Sequence, residues 1–327
     1  MSAPTLAGTS RSAEVRRLLA ELAPAGAAAA AVSSAVLAAG PDVGLPDAVA
    51  VLEHACGVRP LLDLLHGVAH PTVGAVRAGD LPCALALFTP DATLSLTVPG
   101  VRARHGADGI VLTGRYRYGN PAASAALVLV EAADGPRLSL VRHDLPGVRT
   151  TGTDGWGWAE VAGVTVDEML LSGPVSWDPA GPLLTAIDAY AWAYVPVAAA
   201  HAAEAVARLR RELADQAVEV LVASQYLAHE LTRLDIELAL LASAARFGPG
   251  LRGGGPGGIA AAAVLTACAT LTHRTAQVAA DFATELGVPG GPAADPAWRT
   301  AVQAPFGGRR MAEGELARRM GLLAERI

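Results

Sequence analysis

The chain has 327 residues, 52% of them apolar, which is enough for one large core or two modest ones and too apolar for wholesale disorder. Its formal net charge is −6, and all 25 basic residues other than histidine are arginine. With no lysine there is no lysine Schiff base and no P-loop; with no visible basic run, nucleic acid is a poor candidate partner.

Helical periodicity starts near Ser12, with Val15, Leu18, Leu19 and Leu22 on one face, and Pro24 interrupts it. Ala27–Ala39 reads as a second helix, Pro46 to Gly57 as a third and Pro60 to His70 as a fourth. Strand-like runs follow: Ala84–Phe88, Gly109–Leu112, Ala125–Glu131, Leu138–Arg142 and Glu160–Val166, separated by Gly, Pro and Asp-Gly turns. Short strands at this spacing predict a small barrel or sandwich. Helices return with Leu183–Glu212, Leu213–Ala245, Ile259–Leu286 and Met311–Ile327, broken by a glycine-rich loop over Phe247–Gly258. Ala- and Leu-rich helices joined by short loops predict an antiparallel bundle. The predicted class is α+β, mostly α. A helical domain over 1–82 and a four-helix bundle over 175–327 flank a β domain over 83–174.

Cys56, Cys83 and Cys268 lie far apart, which suits a reducing compartment better than a disulfide scaffold. No signal pattern opens the chain, and alanine runs such as Ala27–Ala31 are too short to span a bilayer. The expectation is a cytoplasmic protein without a membrane partner.

Residues 108–114, Asp-Gly-Ile-Val-Leu-Thr-Gly, open a strand that leads through Tyr118 and Asn120 to the apolar run ending at Glu131. Pro146-Gly147-Val148, Val161–Val164 and Glu168–Leu171 follow. Upstream lies Gly44–Ala48 with Val51-Leu52-Glu53; downstream lie Gln216-Ala217-Val218 and Phe306-Gly307-Gly308 with Glu313 and Arg318-Arg319. This co-linear order resembles the acyl-CoA dehydrogenase family from about residue 42 onward. The resemblance implies FAD held between the β domain and the bundle. It also implies a carboxylate that takes the α-proton of an acyl thioester while hydride leaves for the flavin.

Carried over residue by residue, the resemblance assigns Thr89, Ser95, Tyr118 and Asn120 to the flavin. Thr89 and Ser95 keep the family's six-residue separation, but the glycine of that loop is missing. Tyr118 stands in place of a flavin-stacking tryptophan. The C-terminal glutamate position holds Phe306 or Gly307, so the base is assigned to Asp188 on the first bundle helix. Arg208, Arg210 and Arg211 are out of register with the family's flavin-binding arginine and read as a solvated helix face; Glu230 and Glu237 read as helix-face charges. The N-terminal helices are few. The expected partners are an acyl-CoA or carrier-protein thioester and a homo- or hetero-oligomer in which a fuller homologue completes the site. Two rivals remain: a flavin-free, non-redox enzyme of specialised metabolism on the same fold, and a non-catalytic partner subunit.

Other constellations are weaker. Gly253-x-Gly255-x-x-Gly258 contains Pro256 and follows a helix, so it reads as a loop. His66 and His70 have helical metal-ligand spacing without a clear third ligand. His143 with Asp144 reads as surface.

Overall fold

The computed structural model describes residues 17–18, 29–39, 43–87, 100–120, 123–153, 156–178, 181–215, 225–247, 259–295, 298 and 309–320. Before the strands come α1 (Ala29–Ala38), α2 (Leu45–Leu52) and α3 (Pro71–Ala78). Pro46 lies in the first turn of α2, where its missing N–H leaves no helical bond unmade. α2 runs directly into a π-helical turn, Glu53–Val58. At Gly57 in that turn a Cβ would lie 2.5 Å from Leu85 Cδ1, so the turn sits hard against the sheet.

The helix expected over Pro60–His70 stops early. It tightens to a 3-10 turn at Leu62–Leu64, and Leu65 becomes extended and bridges Ser172. The His66 and Gly67 N–H groups donate to the Leu171 and Met169 carbonyls, so sheet pairing overrides the helical pattern. His66 and His70 are therefore not one helical turn apart. His70 instead caps α3, its Nδ1 accepting from the Thr72 N–H at 3.1 Å.

The strands are β1 (Cys83–Ala86), β2 (Val101–Gly106), β3 (Gly109–Tyr118), β4 (Ala125–Ala132), β5 (Gly135–Arg142), β6 (Val148–Thr153), β7 (Trp156–Val166) and β8 (Leu171–Pro174). They form one mixed sheet ordered β6-β7-β3-β2-β4-β5-β8, with β1 also paired to β4. β1 and β2 both run parallel to β4. β2, β6 and β8 carry no apolar run: β2 alternates Val101-Arg102-Ala103-Arg104, and β8 has four residues. In the Asp-Gly-x-x-Leu-x-Gly run, Gly114 has φ +140°, and a Cβ there would lie 2.2 Å from the Gly100 carbonyl oxygen. That close approach explains the second glycine of the run.

The sheet curls so that one face closes on itself. Ala84, Val101, Leu112, Tyr116, Val128 and Val161 belong to a core built from the sheet and its turns alone. On β4 and β5 the opposite face, with Leu127, Leu129, Leu138 and Leu140, joins the helices.

The C-terminal helices are α4 (Pro182–Ala214), α5 (Gln225–Phe247), α6 (Ile259–Glu285) and α7 (Arg309–Arg319). α6 packs on α4, α5 and α7, while α1, α2 and the π-turn pack on α4. N- and C-terminal helices thus share one core. Among the described residues α4 alone is long and apolar enough to cross a membrane, yet 67% of its apolar window is buried inside the protein. Its apolarity is that of a helix contacted on several sides.

Candidate functional site

The residues assigned to the flavin divide. Thr89 and Ser95 lie outside the described residues. Tyr118 ends β3 on the inner face of the sheet and is 2% exposed. Its ring lies over Gly157 of β7, where a Cβ would sit 2.1 Å from Tyr118 Cε2 and Cζ. His143 and Tyr116 pack against it as well, with ring centroids 4.8 Å and 6.0 Å away. His143, expected at the surface, is half-buried, its Nδ1 donating to the Ala123 carbonyl at 2.8 Å. Burial lowers its pKa and raises that of Tyr118. Asn120 is half-buried in the next turn, its backbone carbonyl accepting from the Ala123 N–H at 3.0 Å. A ring enclosed in this way offers no free face of its own for stacking. Gly157→Ala is expected to destabilise the chain by about 2 kcal/mol, because the Tyr118 ring must move. An unchanged melting temperature would show that the ring has room.

Asp188 sits in the second turn of α4, 3% exposed. Arg319 of α7 grips both of its oxygens, Nη2 to Oδ1 at 2.8 Å and Nη1 to Oδ2 at 3.1 Å. The two side chains are 5% and 2% exposed, so this is a buried, bidentate ion pair between residues 131 positions apart. It is the link from the last described helix to the start of the bundle. The doubled Arg318-Arg319 in the sequence was its only sign.

A second buried polar group was not foreseen. Glu53 opens the π-turn at 6% exposure. Burial pushes its pKa up to about 8, against a lowering contribution from the Leu85 N–H that donates to it. His54 beside it is pushed down to about 4 by burial, with nearby Arg59 acting in the same direction. Its Nε2 donates to the Val76 carbonyl at 2.9 Å, and its Nδ1 accepts from the Cys83 N–H at 3.4 Å. Neutral His54 therefore ties the π-turn to α3 and β1. Cys56, Cys83 and Tyr190 surround the pair, and burial raises the pKa of each. π-turns of this kind recur at functional sites, and the sequence sign here was a Glu-His pair inside an apolar helix.

Glu230 and Glu237 are more than face charges. Arg274 of α6 bonds Glu230 at 2.6 Å and also pairs with Glu237, clamping α5 to α6. Arg208, Arg210 and Arg211 are about half exposed and pair with Glu212, Asp235 and Glu204. On α5, Tyr226, Ile236 and Leu240 are 58%, 57% and 66% exposed. Apolar cavities of about 550 and 540 Å³ flank this helix, one against α4 near Pro196 and Ala200, the other against α6 near Val264 and Ala267.

No family model matches the sequence, and no curated protein matches it. Solved structures do. Glutaryl-CoA dehydrogenase from Mycobacterium smegmatis is 17% identical over 95% of this chain and 88% of its own, with a TM-score of 0.69. The FAD complex of PigA is 13% identical over 97% and 92%, also at 0.69. The prolyl acyl carrier protein oxidase AnaB is 13% identical over 89% and 82%, at 0.67. Helices, curled sheet and bundle follow one another as in those proteins, and the chain has the acyl-CoA dehydrogenase fold.

Proposed function

We propose that the chain is a subunit of an acyl-CoA dehydrogenase-type oxidoreductase that desaturates the α,β-bond of an acyl thioester, with FAD as the hydride acceptor. The observation that carries this reading is the fold, shared over nearly the whole chain with an acyl-CoA dehydrogenase, an FAD complex and a carrier-protein oxidase. A homologous partner subunit completes the flavin contacts. Two features support that part: Tyr118 is enclosed by its own sheet, and α5 carries an exposed apolar face between two cavities. Asp188 is the acid assigned to the α-proton, and it can act only by exchanging Arg319 for substrate.

The enclosure of Tyr118 also favours the flavin-free reading of the same fold. The absorption spectrum of the chain separates them. The chain purified alone is expected to lose flavin on gel filtration, and the chain co-purified with a homologous subunit to keep it. A complex that stays colourless with added FAD sinks the flavin reading. A lone chain that stays yellow removes the need for a partner.

A further inference from the structure

Strand alternation gathers on one face of the sheet what the sequence scatters. Val101 and Ala103 of β2, Tyr116 and Tyr118 of β3, and Ala159 and Val161 of β7 point into the sheet's own core. Their neighbours Arg102, Arg104, Arg115, Arg117, Trp158 and Glu160 must then point outward. Pairing aligns them: Arg117 lies opposite Trp158, Arg115 opposite Glu160, and Glu160 opposite Arg149 of β6. The order β6-β7-β3-β2 makes this one continuous surface. It carries Arg102, Arg104, Arg115, Arg117 and Arg149 against the acids Glu131 and Glu160, in a chain of net charge −6. Arg102 faces Glu131 at 3.7 Å, and Arg117 lies 5.9 Å over the Trp158 ring. Arg104, Arg115 and Arg149 are exposed and make no ion pair with the described residues.

We infer that this arginine face docks an acidic protein, namely the carrier that presents the acyl group as a thioester. The inference rests on the thioester reading above and names the form in which the substrate arrives. Three observations favour this occupant. The charge is opposite to that of the rest of the chain, so an acidic body is steered toward this face. The face runs along β3 to Arg117, directly beside Tyr118 and Asn120, so a docked carrier would stand at the edge of the candidate site. Four strands span only about 14 Å between the outer two, which suits one helix about 10 Å across rather than a long polyanion. Arginine also pairs with carboxylates in bidentate geometry.

The test uses the full chain and a purified, phosphopantetheinylated acyl carrier protein of acidic charge as probe, with a short DNA duplex as competitor. Carrier binding by fluorescence anisotropy is expected at about 50 mM salt, and to weaken about tenfold by about 300 mM. The triple variant R104E/R115E/R149E is expected to bind at least about tenfold more weakly with an unchanged melting temperature. R104A/R115A/R149A serves if the reversed charges prevent folding, and a smaller loss is expected from it. Equal binding by wild type and variant, no binding at low salt, or tighter binding to the duplex than to the carrier each overturns the docking surface. The flavin spectrum is read separately. A complex with the homologous subunit that stays colourless with added FAD, while carrier binding still needs the arginines, sinks the oxidoreductase reading and leaves the docking surface standing. A yellow complex indifferent to the arginines does the reverse.

Discussion

Glu53→Gln is expected to flatten the alkaline side of the stability profile. In the folded chain Glu53 stays protonated up to about pH 8, whereas an unfolded glutamate ionises near 4.5. Between those values the unfolded state has released a proton that the folded state still holds. Stability therefore falls as pH rises, by about 1.4 kcal/mol per unit and roughly 4–5 kcal/mol in all, and levels off above about pH 8. Below the unfolded value the contribution is fully present. His54 has the opposite sign: its folded pKa of about 4 lies under the ordinary 6.5, so its share of stability is lost as pH falls from 6.5 to 4. The two oppose each other from about pH 4.5 to 6.5, which leaves the Glu53 decline visible from about 6.5 to 8. Glutamine can still accept from the Leu85 N–H and has nothing to ionise. Urea unfolding of both proteins at about pH 5, 6.5 and 8.5 should show the variant gaining on the wild type with each step. A constant difference would mean that Glu53 is not held neutral.

Asp188→Asn is expected to cost about 3–5 kcal/mol, because it leaves a buried guanidinium facing a neutral amide. Arg319→Met should cost a similar amount. The double variant should fall well short of the sum, since replacing a buried pair by uncharged groups removes the desolvation of both charges. A thermal melt of the four proteins measures the coupling. Additive losses would show that the pair does not hold α7 to α4. The same asparagine variant bears on chemistry: exchange of a thioester substrate's α-proton with deuterated solvent should vanish if Asp188 is the base. Retained exchange in a folded Asp188→Asn protein would remove that assignment.

Much of the architecture was legible because apolar periodicity survives without context. α4 and α6 begin and end within a few residues of their patterns, β4 carries a continuous apolar run, and β5 an apolar stretch over Leu138–Val141 broken only by Ser139. β2 was hidden because alternate arginines break its apolar run, although period-two alternation with a charged outer face is itself a strand signal. The same blindness concealed the basic surface: Arg102-x-Arg104 and Arg115-x-Arg117 never form a run, and only β2–β3 pairing brings them together. Glu53 read only as part of the helix from Pro46 to Gly57 because no local pattern announces that a residue will be buried by elements thirty and one hundred and thirty positions away. Asp188 was singled out through the family resemblance, but its partner lies 131 residues downstream, beyond the reach of any spacing rule. Thr89 and Ser95 fall outside the described residues and stay as assigned by resemblance.

The shared core of α1, α2 and α4 has a consequence for synthesis. The π-turn and α2 bury Leu52, Val58 and Leu61 in one core with Ile187 and Tyr190, whose codons are read more than a hundred residues later. At about 5–20 residues per second the ribosome leaves the first helices without their partner for many seconds. Such late contacts raise contact order and slow collapse of the helical layer, while the curled sheet, closed on itself, has its own core to form first. The nascent N-terminal helices are thus the segment that a chaperone would have to shelter, and an early stop anywhere before α4 would release them with their apolar faces uncovered.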